Sequence, residues 1–458
     1  MANKQKYLLI STLLLGTFCM FLNQTLLTTA YPSLMKDFSI SADYVQWLTT
    51  GFLLVTGVVI PLSGWLLHQV NTKKLYLASL IIFLTGTTLS FFAQTFLILL
   101  AGRLIQAVGV GISMPLFQTV LLSLFPKNER GSIMGLAGIV IGLAPAIGPS
   151  LSGFILMKYT WHALFLMLIP IIILVIIMAL FFMEPVLPIK KTKLDILSII
   201  ESSFGLGLLL YGLSIVSTSH VNIWLVLLCL LVGSIFLGLF LYRQKKITSP
   251  FLSLQPLKQK NYQLSCYLVA LSNMAMISFE LVIPMYIQNV RHYSPLVSGL
   301  SLLPGALIFG IMSPISGKLF DKYGARNLCI GGMLLLTIFT FPFVFIQATT
   351  PMVFIIILYT FRLLGISMVM MPVTTFGMNA LPDSELSDGS VINKTTKQVA
   401  SSFGTAIMIS VMTYVTSYSA NTSGELKRLD GYRGSFLVAT IFCVIALLLT
   451  LKVPKKCD

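Results

Sequence analysis

The chain has 458 residues, 56% hydrophobic and only 10% charged, with a formal net charge of +16. A soluble domain carries about a quarter charged residues, and apolar blocks this long leave no polar face for water, which excludes a soluble globule. The basic residues fall in short clusters between the blocks, not along one solvated face, so the charge does not point to nucleic acid.

Apolar blocks of about 20 residues match a hydrocarbon core roughly 30 Å thick. Fourteen such blocks predict membrane spans at 7–30, 45–67, 75–93, 96–124, 131–156, 162–183, 196–216, 221–242, 262–287, 297–317, 328–347, 351–379, 391–416 and 433–452. This is an all-α integral membrane chain. Lys4 and Lys6 precede the first block without a small-residue cleavage site, which reads as an uncleaved first span. One alternating set of loops holds most Lys and Arg, including Lys73, Lys74, Lys127, Arg130, Lys190, Lys191, Lys193, Arg243, Lys318, Lys322, Lys394, Lys455 and Lys456. The other holds few, such as Lys36, Lys158, Arg291 and Arg433. That bias places the basic loops and both termini in the cytoplasm.

Two stretches repeat. Pro61-Leu-Ser-Gly-Trp-Leu-Leu-His68 resembles Pro314-Ile-Ser-Gly-Lys-Leu-Phe-Asp321. Arg103-Leu-Ile, Met114-Pro115, Pro126 and Gly131-Ser132 match Arg362-Leu-Leu, Met371-Pro372, Pro382 and Gly389-Ser390. The copies share one polarity across the membrane. This gives a six-span half at 1–184, a two-span insert with basic linkers at 185–258, and a second six-span half at 259–458. Parallel halves of this kind build transporters, with substrate at their interface near the midplane.

In chain order, span 1 carries Leu22-Asn23-Gln24-Thr25 and Ala30-Tyr31-Pro32, and span 2 opens with Tyr44-Val-Gln46-Trp47. The loop after span 2 reads Gly64-Trp-Leu-Leu-His68-Gln-Val-Asn71-Thr-Lys73. Span 4 has Arg103 and Gln106 at i, i+3. A buried arginine needs acceptors, whereas one near a helix end can snorkel. Span 5 holds Gly138, Gly142, Pro145, Gly148, Pro149 and Gly153, a smooth helix that can kink and pack closely.

Span 9 carries Glu280 in an apolar run, on one helical stripe with Asn273, Ile277, Pro284 and Gln288. A carboxylate facing lipid is costly, so this stripe is assigned to an interior or a water-filled cavity. There a proton and a cation would compete for one charge, the minimum physical requirement for antiport. Trp47, Tyr286, Phe279, Met276 and Met285 would offer an adaptable apolar wall, or simply packing. After span 10 comes Gly317-Lys-Leu-Phe-Asp321-Lys-Tyr-Gly324-Ala-Arg326, where Gly317 permits close helix approach and Gly324 a tight turn. Span 13 has Lys397-Gln398 and then Phe403-Gly404-Thr-Ala406.

The loop after span 10 resembles the G-x-L-x-D-x-x-G-x-[RK] signature of the major facilitator superfamily. Gly148-Pro149 with Gly153, the Arg103–Gln106 element and Ile283-Pro284-Met-Tyr286-Ile-Gln288 resemble its fourteen-span drug:proton antiporter branch. The chain departs from that pattern where Asn23 replaces an acid, His68 an aspartate and Asn71 a glycine. The resemblance implies a proton-coupled exporter of amphipathic, often cationic drugs in a bacterial plasma membrane, acting as a monomer. It implies Glu280 and Arg103 for proton coupling. Substrate contacts would come from Glu280, Asn23, Gln46, Trp47, Gln106, Asn273, Met276, Tyr286 and Gln288. Gly64, Gly142, Pro145, Gly148, Pro149, Gly153, Gly317, Asp321, Gly324 and Arg326 would serve gating. An exporter of an endogenous lipid or metabolite and a non-transporting membrane sensor are the other readings. The six cysteines show no CxxC spacing, the four histidines form no ligand set, and no phosphate-binding GxxxxGK[ST] is present. The chain is therefore read as neither an enzyme nor an ATP-driven pump, without metal or cofactor.

Overall fold

The computed structural model describes residues 3–189, 195–216, 222–247, 250–419 and 423–454. Lys190, Lys191, Lys193, Lys455, Lys456 and Cys457 lie outside them. The structure is 86% helical, with no strand among the described residues. The helices are α1 (Asn3–Leu26), α2 (Tyr31–Phe38), α3 (Ala42–Gln69), α4 (Thr72–Phe91), α5 (Phe96–Leu124), α6 (Arg130–Leu156), α7 (His162–Phe182), α8 (Ile196–Ile215) and α9 (Ile223–Lys246). They continue with α10 (Lys260–Asn289), α11 (Pro295–Tyr323), α12 (Ala325–Thr340), α13 (Met352–Ser367), α14 (Met370–Asn379), α15 (Leu386–Tyr418) and α16 (Gly424–Thr450).

These give 14 segments long and apolar enough to cross a membrane, as the sequence predicts. Two spans are broken. α1 and α2 are joined by a 3-10 turn at Thr28–Ala30, and α13 passes to α14 through Met368 and Val369. The last span starts at Gly424, earlier than the predicted 433, so Arg433 lies inside α16 and not in a loop. Lys394, counted with the basic loops, lies inside α15 and is buried. Outward-facing leucines, isoleucines and aromatics such as Leu174, Ile177, Trp224, Leu231 and Ile235 stay exposed, as a lipid-facing belt requires.

The repeat is visible in the packing. In the first half α4 packs on α5 and α7, α3 on α5, and α1 on α6 and α7. In the second, α12 packs on α13 and α16, α11 on α13, and α10 on α15 and α16. The two halves meet along two seams, α6 against α11 and α3 against α15, and α8 lies alongside the second, touching both α3 and α15. α8 and α9 pack on each other. Their basic end is tied by Arg243, whose Nε and Nη2 donate to the two Asp195 oxygens at 2.8 and 2.9 Å. The Arg243 guanidinium holds the Asp195 carboxyl down at about 2. Five cysteines (Cys19, Cys229, Cys266, Cys329 and Cys443) are buried and form no disulfide among the described residues.

Candidate functional site

Each half holds one fully buried arginine at the same place in the repeat. In the first, Arg103 on α5 donates from Nη1 to the Asn23 carbonyl at 3.3 Å and the Gln106 Oε1 at 3.0 Å, and from Nε to the Leu48 carbonyl at 3.3 Å. Its guanidinium lies 4.3 Å from the Phe52 ring centre. Gln106 Nε2 donates to Thr87 Oγ1 at 2.9 Å, and Asn23 Nδ2 donates to Gln106 Oε1 at 3.1 Å. Asn23, Arg103 and Gln106 are 0–1% exposed. They bond to one another and tie spans 1, 2, 3 and 4 together, while the Arg103 Nη2 has no partner among the described residues. Snorkelling is therefore not what Arg103 does here.

In the second half Arg362 on α13 donates from Nη2 to the Ala275 carbonyl at 2.6 Å and from Nε to Thr340 Oγ1 at 3.2 Å, and stacks 3.9 Å from the Phe279 ring. The sequence shows Arg362 only as a repeat match. Its structural role was legible from the parallel with Arg103. Next to Phe279, Glu280 is half-buried, and its charge interacts with Arg362. It forms no ion pair within 4.0 Å among the described residues. Glu280 is not the one carboxylate inside the bundle: Glu201 on α8 is 8% exposed, and one of its oxygens has no partner.

The other residues of the Glu280 stripe divide. Asn273 is buried, and its Nδ2 donates to the Val269 carbonyl at 3.0 Å. Met276, Pro284, Met285 and Gln288 are half-buried, and Ile277 is exposed. Tyr286 and Phe279 point into the core of the second half. The Tyr286 hydroxyl donates to the Gln347 carbonyl at 2.8 Å, and Phe279 packs on Phe343 and Phe436. Gln46 is exposed, and Trp47, 37% exposed, stacks on Tyr211 of α8. The predicted substrate contacts therefore do not converge on one pocket here. A cleft of about 490 Å³ lined by Lys4, Gln5, Leu8, Phe181, Phe182 and Glu184 lies at the basic end, away from Glu280.

The gating residues gather more closely. α6 and α11 cross at glycines: Gly131 faces Gly317, Gly135 and Gly138 face Ser313, and Gly142 faces the Phe309 ring. Asp321, at the end of α11, accepts from the Gly131 and Ser132 amides at 2.8 and 2.7 Å and from the Ser132 hydroxyl. A carboxylate from one half thus caps the first turn of a helix of the other, where the helix dipole favours it. Beside it Arg130 Nη2 donates to Asp383 at 2.7 Å and Asn379 Nδ2 to the Lys127 carbonyl at 3.1 Å. On the other seam His68 Nε2 stands 3.4 Å from both oxygens of Asp388, which also accepts from the Ser253 amide at 3.2 Å. The basic end is thus closed by contacts between the halves.

Pro149 has no N–H to give the Pro145 carbonyl, and Thr25 Oγ1 supplies that bond at 3.1 Å while Gly148 makes room for Thr25. Gly153 faces nothing within 4 Å and Gly64 packs on Val391 and Leu252. Gly324 takes φ +78°, the turn glycine expected of it. Arg326 is half-buried, and Asn71 caps α4 by accepting from the Lys73 amide at 2.9 Å, a use that explains an asparagine there.

Two six-span halves of one polarity, closed at one end and carrying ionisable groups inside, define a membrane transporter of the major facilitator fold. The chain belongs to the Major Facilitator Superfamily, whose family model matches residues 13–405. It is 42% identical to the "Uncharacterized MFS-type transporter YcnB" of Bacillus subtilis, over 98% of this chain and 95% of that one. It is 37% identical to the "Lincomycin resistance protein LmrB" of Listeria monocytogenes, over 98% of this chain and 96% of that one. Among solved structures, the proton:xylose symporter XylE aligns with a TM-score of 0.67 at 13% identity, over 99% of this chain and 97% of that one, a likeness of fold alone. These relatives are transporters, not enzymes.

Proposed function

We propose that the chain is a proton-coupled exporter of amphipathic drugs, many of them cationic, working by alternating access in a bacterial plasma membrane. The observation that carries this reading is Glu280: a half-buried carboxylate in the first span of the second half, coupled to a buried arginine and free of a close ion pair. Such a group can hold a proton or a cation but not both, which exchanges one for the other. The name of the Listeria relative, a lincomycin resistance protein, supports drugs as cargo. One-for-one exchange of a proton for a monovalent cation moves no net charge, so the pH gradient drives that cycle, and the membrane potential contributes, at about 2.3 kcal/mol per charge per 100 mV, only when the cargo is neutral.

In this reading the Lys- and Arg-rich end, with both termini, faces the cytoplasm, and the structure is closed on that side by Asp321 and Asp388. The chain works as a monomer, and no cofactor beyond the proton gradient is required. A second reading, export of an endogenous metabolite, is favoured by 26% identity to the "Riboflavin transporter RibZ" of Clostridioides difficile over 99% of both chains. The test is efflux of lincomycin, ethidium and riboflavin from cells lacking other pumps, with and without a collapsed pH gradient. Drug export that stops on collapse is the expected result. Export unaffected by collapse refutes proton coupling, and export of riboflavin alone selects the second reading.

A further inference from the structure

Away from Glu280, a second set of ionisable groups sits inside the bundle. Lys394 on α15 is 8% exposed and has no hydrogen bond or ion pair to any described residue. One turn on, Lys397 is half-buried and donates from Nζ to the neutral Thr374 Oγ1 at 3.2 Å. At ~1.5 Å per residue the two lie about 12 and 17 Å along the helix from Leu386. That is too deep for both charges to reach the helix end.

Neither lysine forms an ion pair within 4.0 Å among the described residues, and Glu201 of α8 faces Arg243. Asp388, at the start of α15, is occupied by His68 and the Ser253 amide. Asp321 is occupied by α6, and Asp383 by Arg130. Lys397 interacts with Cys266 of α10, and Glu280 lies about 21 Å further along that helix. Two neighbouring cations without an anion are costly in a membrane interior unless something anionic joins them.

Neutral polar groups share that layer. Asn393 is fully buried and both its amide atoms lack a partner, and the same is true of Gln118 on α5, which packs against α15. Gln118 lies about 9 Å from Leu124 at the basic end of α5, close to the depth of Lys394. Buried amides without partners are rare in folded proteins, and here one of them, Asn393, precedes Lys394 and stands one turn before Lys397 on the same helix.

We propose that Lys394 and Lys397, with Asn393 and Gln118, bind the carboxylate of an amphipathic substrate, so that the chain takes organic anions and zwitterions as well as cations. This rests on the transporter reading above and narrows its substrate class. Lys397 reaches Thr374 of α14 in its own half, and Gln118 comes from α5 of the other half, which packs against α15, so the site would draw on both halves.

The test uses the full chain in phosphatidylcholine nanodiscs and two dyes with the same ring system and opposite charge, carboxyfluorescein and rhodamine 6G. Carboxyfluorescein is expected to bind the wild type. Lys394→Met and Lys397→Met should each raise its Kd at least about tenfold, and Lys397→Arg should hold it within about threefold. Rhodamine 6G binding should change less than about twofold in all three, which also shows that the variants are folded. The proposal is overturned if the wild type does not bind carboxyfluorescein, if the Met variants bind it unchanged, or if they lose both dyes alike. Failure of the drug-export reading shows separately, as a wild type that binds carboxyfluorescein but neither binds nor exports rhodamine 6G.

Discussion

The two seams between the halves are related by the internal repeat, yet they are built differently. Along α6 and α11 the contact is nearly backbone to backbone, through Gly131, Gly135, Gly138 and Gly317, and its end is fastened by the Asp321 carboxylate. Along α3 and α15 the contact runs through side chains: Gly64 meets Val391, and Gln398 Nε2 donates to the Leu53 carbonyl at 3.2 Å. There the loop aspartate is replaced by His68, the opposing helix offers Asp388, and α8 lies alongside. Ser132 bonds to Asp321, but its repeat counterpart Ser390 has a buried hydroxyl with no partner. A locked seam and a looser one give the closed end a hinge side and an opening side. Lys394 and Lys397 lie on α15, a helix of the looser seam.

This contrast can be broken by substitution. The largest effect is expected from Asp321→Ala, which strips two amides and a hydroxyl of a charged acceptor. Stability should fall by about 2–3 kcal/mol in thermal unfolding of the detergent-solubilised protein. Gly135→Ala comes next. An added Cβ would lie 2.6 Å from the Ser313 carbonyl oxygen, so helices must shift, at about 1–3 kcal/mol on the same measurement. His68→Asp sets two acids together and should cost about 1 kcal/mol, and adding Asp388→Arg should restore it by giving this pair opposite charges. The smallest effect is Gly64→Ala: the new Cβ would lie 3.2 Å from the Val391 side chain, which can yield, and unfolding should change by less than about 0.5 kcal/mol. Equal costs for Gly135→Ala and Gly64→Ala would remove the distinction between the seams.

The spans and their repeat were legible because lipid demands long apolar helices and because both halves kept their punctuation, from Pro61 and Pro314 to Gly131 and Gly389. Asp321 was legible as a gating residue from its loop signature, but its acceptor role toward Gly131 and Ser132 needed the fold, since those residues lie far away in sequence. For the same reason His68 could be seen to depart from the signature while Asp388 could not be seen to meet it. The breaks at Thr28 and Met368 leave no apolar gap to read. Lys394 was misplaced because a charge near a span boundary reads as loop until its burial is known. The stripe through Glu280 runs from buried Asn273 past exposed Ile277 to half-buried Glu280 and Gln288. It did not show that Tyr286 and Phe279 turn to the core of their own half, which depends on neighbours from α16 and the Phe341–Phe345 turn.

The two buried arginines extend the contrast between the halves. The acceptors of Arg103 are all neutral, two backbone carbonyls and the Gln106 amide, with Asn23 and Gln106 bonded to each other. Beside Arg362 stands Glu280, the carboxylate proposed above to exchange proton for cation. Coupling through it is tested most directly by ethidium export from proteoliposomes driven by a pH step, comparing wild type with Glu280→Gln. The amide keeps the shape and loses the titration, so gradient-driven export should fall at least about tenfold while the protein still folds. Export by Glu280→Gln at the wild-type rate, still abolished when the pH step is removed, would place the coupling proton elsewhere and contradict the assignment.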